Sequence, residues 1–190
     1  WSSLIKIGDG QTEGLYRYYY PSLGRTKTGS FIAVYQQRDI TTGDYTPKYR
    51  TSIDGVAWSD ESDMVIAGAL TTDVAFYGQI KTTPSGKLVV GGYFGTENYV
   101  LTSTDNGANW SSVLVRTESG FTHSEVATSI VDEQRWLQLI RIDDTNGTLV
   151  QMKTEDGGAT WADMGQMNMP VSGGYKSHDV QVVTVDGVRH

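Results

Sequence analysis

The sequence predicts an all-β protein made of repeated four-stranded antiparallel sheets, and three observations carry that reading. A short polar phrase recurs at an even pitch: RTSIDGVAW at 50–58, STDNGANW at 103–110 and KTEDGGATW at 153–161, with Asp54, Asp105 and Asp156 spaced 51 residues apart in both intervals. Composition favours strands and turns, with 11% aromatic residues, 22 Gly and only 4 Pro in 190 residues. No window carries a convincing amphipathic-helix period.

A period of about 50 residues marks a propeller or a solenoid. Within each period, GSFIAVYQQRD (29–39), GKLVVGGYFG (86–95) and QRWLQLIRID (134–143) are short, β-branched and aromatic, and bounded by turn formers. The third period divides into four strands. HSEVATSIV (123–131) leads through Asp132-Glu133 into 134–143, Asp144-Thr145-Asn146-Gly147 turns the chain into TLVQMKT (148–154), and the turn at 156–158 hands over to a fourth strand at Trp161. Four antiparallel strands per period make the blade of a β-propeller. Blades are expected at about 16–60, 73–115 and 121–167, with 175–190 as the first hairpin of a fourth, so residues 1–190 form one partial propeller domain of three to three and a half blades. Such a number cannot close a ring. The remaining blades are expected outside this segment, and the Asp186-Gly187 turn signal just before the last residues agrees with a piece of something longer.

The repeated phrase itself has a mechanical reading. Gly accepts positive φ in a tight turn while the Asp carboxylate accepts backbone N–H groups, and Trp58, Trp110 and Trp161 are placed to cover the three turns. These six residues are read as structural.

Composition also excludes several functions. The formal net charge of −7, from 15 basic and 22 acidic residues, argues against a nucleic-acid surface built on phosphate contacts while leaving room for local basic pockets. There is no Cys, and His123, His178 and His190 are too scattered for a zinc motif, so no metal or other cofactor is expected. No apolar run approaches the length of a membrane-spanning helix, and residues 1–25 lack the zones of a signal peptide.

With these residues in view, the phrase resembles the Asp-box, S-x-D-x-G-x-T-W, of the sialidase (neuraminidase) superfamily. Ser103, Asp105, Gly107 and Trp110 match it; Thr154, Asp156, Gly158, Thr160 and Trp161 match with Thr for Ser; the first copy is one residue short. The layout LYRYYYPSLGRTKTGSFIAVYQQRD followed by YRTSIDG, along 15–55, is similar to the opening blade of that family, and Glu125 with Arg141 16 positions later is similar to its third. The resemblance implies a six-bladed propeller. It also implies Arg141 as the anchor for a substrate carboxylate and Glu125 as the catalytic carboxylate.

The sequence departs from the family at three places. Tyr19 stands where the family carries its first anchoring arginine, two residues before Pro21, and Arg17 is two places too early unless the strand bulges. Asp44 lies near, but about one residue off, the place of the family's acid catalyst. The third anchoring arginine and the nucleophilic tyrosine would come from blades beyond His190. Loss of the first arginine with Glu125 and Arg141 kept resembles the bacteriophage endosialidases. That likeness implies internal cleavage of polysialic acid, a sialylated or polysialylated glycan partner, a homotrimeric tailspike, and an extracellular or virion location.

The chemistry suits these residue types. A sialic acid carries a carboxylate on its anomeric carbon, and arginine grips a carboxylate with a planar fork of donors at every working pH. Glu125 would act as acid or base, or by activating water, and beside Arg141 its carboxylate is expected to stay ionised. The bland reading of Arg141 is a surface arginine paired with Asp143 or Asp144. Tyr18, Tyr19 and Tyr20 are candidates to stack on sugar faces near the pocket mouth. Arg38 is read as a second basic site or an ion-pair partner of Asp39, and Asp73, His178 and Asp179 as weaker rim candidates. Arg17, Arg25, Arg38, Arg50 and Arg141 together are expected to build a positive face. The alternative from another class is a non-catalytic Asp-box propeller serving as a glycan-binding lectin or adhesin; a scaffold propeller for assembly is the third.

Overall fold

The computed structural model describes residues 15–70, 73–144 and 148–167, with the backbone of two further short strands. Among the described residues no helix is long and apolar enough to cross a membrane. The first sheet runs β1 (Tyr16–Arg25), β2 (Phe31–Asp39), β3 (Tyr45–Ser52) and β4 (Ser62–Asp63), each antiparallel to the next. After β5 (Val65–Gly68), the second sheet runs β6 (Ala75–Thr82), β7 (Leu88–Phe94), β8 (Glu97–Ser103) and β9 (Asn109–Thr117) in the same way. The third comprises β10 (His123–Ile130), β11 (Trp136–Ile142), β12 (Leu149–Thr154) and β13 (Ala162–Gln166). β14 (Thr184–Val185) and β15 (Val188–Arg189) pair as a hairpin. The rest of the expected hairpin at 175–190, with His178 and Asp179, lies outside the described residues.

β5 departs from the four-strand expectation, because it adds to the second sheet as a fifth strand, parallel to β9. Ser112 fixes it there: its buried hydroxyl accepts the Leu70 N–H at 2.8 Å and lies 3.0 Å from the Ala67 carbonyl and 2.9 Å from that of Leu70. The connection between the first two sheets thereby closes the outer edge of the second.

The strand period of two explains how the sheets stack. Along β7, Leu88 and Val90 enter the core shared with the first sheet, where they meet Ile32, Val34, Phe76 and Trp110; Val89 enters the other core, with Val126, Ile140 and Val150 of the third. The second sheet is therefore buried on both faces, and each such side chain contributes about 1.5–3 kcal/mol. Where β7 continues, Gly91 and Gly92 let the neighbours close in. A Cβ on Gly91 would stand 2.7 Å from Val126 Cγ1, and one on Gly92 2.5 Å from Val74 Cγ2.

The three Asp-box turns join third to fourth strands at one end of the sheets. At the other end, β2 turns into β3, β7 into β8 and β11 into β12. The first strands β1, β6 and β10 lie side by side, and each is irregular. In β1, Tyr20 and Pro21 together oppose Tyr35; in β10, Ser124 and Glu125 together oppose Arg141. Such two-against-one bulges re-aim side chains.

Candidate active site

The bulge in β10 places Glu125 against Arg141 at the end of the sheets away from the Asp-boxes. Arg141 Nη1 donates to Glu125 Oε2 at 2.6 Å, and its Nη2 stands 2.9 Å from Asp143 Oδ1. From the second sheet, the Tyr77 hydroxyl donates to Glu125 Oε1 at 3.4 Å. The Glu125 and Arg141 side chains are only 12% and 17% exposed, so water screens the pair weakly. Burial works against the guanidinium charge, but the hydrogen bond and charge of Glu125, with Asp143 beside it, outweigh burial and raise the Arg141 pKa above its ordinary value. One guanidinium thus makes both the expected pairing with Asp143 and a contact with Glu125. Asp144 closes the turn by accepting the Thr148 N–H at 2.9 Å.

Next to this pair, a cleft of about 160 Å³ opens between the first two sheets, lined by Tyr20, Gln36, Tyr45, Asp73, Tyr93 and Phe94. Tyr20 and Asp73 hold φ of 54° and 48°, in the left-handed region that side chains rarely adopt. Gln36 Nε2 donates to Asp73 Oδ1 at 3.5 Å, and the Tyr20 and Tyr93 rings meet nearly edge to face at 6.4 Å between centroids. Burial, then Tyr20, then Tyr77 and Glu125 push the Tyr93 phenol up.

The first hairpin adds two cations. Arg17 stands directly across from Arg38, and the Arg38 guanidinium lies 5.5 Å from the centroid of the Tyr45 ring. Hydrogen bonding from Arg17, then from Arg38, holds the Tyr19 phenol below its ordinary pKa. The strand does bulge, but between Tyr19 and Ser22, so Arg17 keeps its regular register and does not take the place of Tyr19.

Three expectations are corrected. Arg38 forms no pair with Asp39, since adjacent strand residues point to opposite faces; Asp39 Oδ1 instead accepts the N–H groups of Thr41 and Thr42 at 2.7 and 3.1 Å. Tyr18 turns away from the cleft, taking a hydrogen bond from Gln37 at 3.0 Å and packing its edge on Tyr35. The five arginines do not share a face: Arg25 ends β1 at the Asp-box end and lies over Phe31, and Arg50 donates to Tyr35 and to the Ser59 carbonyl. Asp44 stands exposed in the turn before β3. Sequence reasoning missed Tyr77 and Tyr93, whose contacts join different sheets. Among the described residues no group of three His, Asp or Glu side chains is placed to hold a metal ion.

The Asp-box residues occupy the far end and bond locally. Asp105 Oδ1 accepts from Ser103 Oγ at 2.8 Å and Asn109 N at 2.9 Å, and Asp156 Oδ1 from Thr154 Oγ1 at 2.7 Å and Thr160 N at 2.9 Å. The indole N–H groups of Trp110 and Trp161 donate to the carbonyls of Gly107 and Gly158 at 2.9 and 3.2 Å. In the shorter first copy, Asp54 Oδ1 accepts from Val56 N and Ala57 N at 2.8 and 2.9 Å.

Comparison with known proteins agrees with this architecture. A mutant of the NanB sialidase of Streptococcus pneumoniae is similar in structure at 13% identity and a TM-score of 0.70, over 92% of this chain and 43% of that one. A Trypanosoma rangeli sialidase in complex with sialic acid is similar at 16% identity and a TM-score of 0.67, over 97% of this chain and 34% of that one. A Dyadobacter fermentans protein of unknown function is similar at 15% identity and a TM-score of 0.65, over 90% and 54%. The chain thus spans about a third to a half of the length of these structures and shares their fold. A search of curated proteins finds no match. The family described as the BNR repeat-like domain matches residues 1–185. With nearly its whole length inside that match, the chain belongs to the BNR repeat-like domain family.

Proposed function

We propose that this chain is part of a sialidase-type glycoside hydrolase acting on sialic-acid-containing glycans. The observation that carries the reading is the contact of Arg141 with Glu125 at 2.6 Å, beside an aromatic cleft and away from the turns that hold the fold. Arg141, fixed by two carboxylates, would anchor the carboxylate of a sialic acid; Glu125 would take a proton or activate water beside an oxocarbenium-like centre. A carboxylate bonded to a guanidinium is better suited to base than to acid work. The Streptococcus and Trypanosoma neighbours are sialidases, the latter solved with sialic acid, which supports the substrate class.

The finer reading is internal cleavage of polysialic acid by a homotrimeric tailspike, on a virion or outside the cell. Its support is Tyr19 at the place of an anchoring arginine while Glu125 and Arg141 are kept. A glycan-binding lectin or adhesin is the second reading. It is favoured by Asp44, which lies nearest in sequence to the place of the family's acid catalyst, being exposed and making no side-chain hydrogen bond among the described residues. Incubating the full-length protein with polysialic acid and with sialyllactose separates these readings. Shorter oligomers support internal cleavage, free sialic acid alone supports terminal cleavage, and binding without either product supports the lectin.

A further inference from the structure

The first Asp-box is one residue shorter than the others, and that difference has a structural result. Trp110 and Trp161 follow their aspartates by five residues and cap their turns through the indole N–H. Trp58 follows Asp54 by four, and its buried Nε1 has no hydrogen-bond partner among the described residues. A buried N–H without an acceptor costs about 1–3 kcal/mol, which a turn of ordinary length would avoid.

The released indole becomes a wall of a cleft of about 460 Å³ at the Asp-box end, between the first hairpin turn of the first sheet and the Asp-box turn of the second. That volume lies within the roughly 300–1,000 Å³ of small-molecule sites. Its lining mixes hydroxyls with apolar groups, Ile53 and Ala57 among them, and carries no charged side chain, in a chain with 19% charged residues. The hydroxyls of Thr26, Thr28, Ser30, Thr51 and Ser59 surround it with Trp58. Thr26 and Thr28 bond each other at 2.9 Å, and Ser59 Oγ accepts the Thr51 N–H at 3.0 Å. The hydroxyls of Ser30 and Thr51 make no hydrogen bond among the described residues. Asn106 reaches the same cleft from the second sheet, held at φ 61° by its turn. The neighbouring cations are held by backbone carbonyls outside the lining: Lys27 packs on Gly86 with its Nζ 3.4 Å from the Ser85 carbonyl, Arg25 Nε donates to the Gly29 carbonyl at 3.2 Å, and Arg50 Nη1 donates to the Ser59 carbonyl at 3.0 Å.

We infer that this cleft is a second glycan-binding site, taking a neutral sugar and distinct from the Glu125–Arg141 site at the opposite end. The chemistry selects the class: hydroxyls and an amide both donate and accept, an indole offers an apolar face to C–H groups, and no charged side chain lines the cleft to compensate an ionised ligand. The site would hold the neutral part of a glycan and does not depend on what Glu125 does.

The test uses the full-length protein and free monosaccharides: glucose, galactose, mannose, their N-acetylhexosamines, and sialic acid for contrast. Saturation-transfer NMR and quenching of tryptophan fluorescence read binding. At least one neutral sugar binds at millimolar concentration, and a Ser30→Ala, Thr51→Val double variant weakens it about tenfold. Inserting one threonine between Ala57 and Trp58, which restores the five-residue spacing, abolishes this binding while the protein stays folded. Glu125→Gln leaves it intact, so loss of sialidase activity and loss of this site are separate results. Failure of every neutral sugar to bind, or binding that survives both the insertion and the double variant, overturns the assignment.

Discussion

Arg141 and Glu125 lie 16 positions apart in the chain and meet at 2.6 Å because one extra residue in β10 sets Ser124 and Glu125 against a single partner. The pair is mostly buried, so its two halves are coupled in stability. Truncating one partner of a buried ion pair leaves the other charge uncompensated, at a cost of about 3 kcal/mol. Arg141→Ala is expected to lose that much in urea unfolding of the full-length protein. Adding Glu125→Ala should then cost less than the sum of the single changes, by about 1–3 kcal/mol. Strict additivity would show that the two side chains do not interact in solution.

The Asp-box carboxylates make stability depend on pH at the acid end. Asp156 is held to about 2, first by the Thr160 hydroxyl and then by its N–H, and Asp105 is lowered chiefly by the Asn109 N–H. Both sit below the unfolded value of about 3.9, so their contribution is complete above that pH and is lost as pH falls toward the folded values. Asp156→Asn should therefore flatten the fall in melting temperature between about pH 4 and pH 2. An unchanged acid limb would contradict the assignment of these bonds.

The close approach of Val74 to β7 at Gly92 is testable by one methyl group. Its Cβ would stand 2.5 Å from Val74 Cγ2 and 3.2 Å from the Ala75 carbonyl, with a backbone that needs no positive φ. Gly92→Ala is thus a pure overpacking change, expected to cost about 1–3 kcal/mol in urea unfolding. A neutral result would mean that the second sheet has room to shift.

Much of this fold is legible in the sequence because the Asp-box is a side-chain device. Asp105 and Asp156 must accept particular N–H groups, and Gly107 and Gly158 must adopt φ of 96° and 92°, so residue identity records geometry. The missing residue before Trp58 is equally legible, although its result, an indole without an acceptor, needs the coordinates. Bulges are different. Ser124-Glu125 and Tyr20-Pro21 add one residue to an alternating pattern, and sequence alternation cannot say where the extra residue falls. β5 was unreadable for another reason: Val65–Gly68 is four residues long and is held as a strand by Ser112, 42 to 45 positions away from its partners. Tyr77 reaches Glu125, and Tyr93 reaches Tyr20, only through packing between sheets, which no local pattern encodes.

Arg17 and Arg38 face each other across the first hairpin, and Tyr19 reports on them. Their hydrogen bonds and charge hold its phenol below the ordinary value of about 10. Arg17→Gln should move the Tyr19 phenolate titration, followed by ultraviolet absorbance against a Tyr19→Phe control, to higher pH. Arg25→Gln, at the opposite end of β1, should leave it in place.

The role of Glu125 is tested by cleavage of polysialic acid by the full-length protein and its Glu125→Ala variant, with glycan binding followed in parallel. Removing a group that transfers a proton in the transition state lowers turnover about 10²–10⁴-fold. A loss of that size is expected, with glycan binding retained. Undiminished cleavage by the variant would contradict the role given to Glu125.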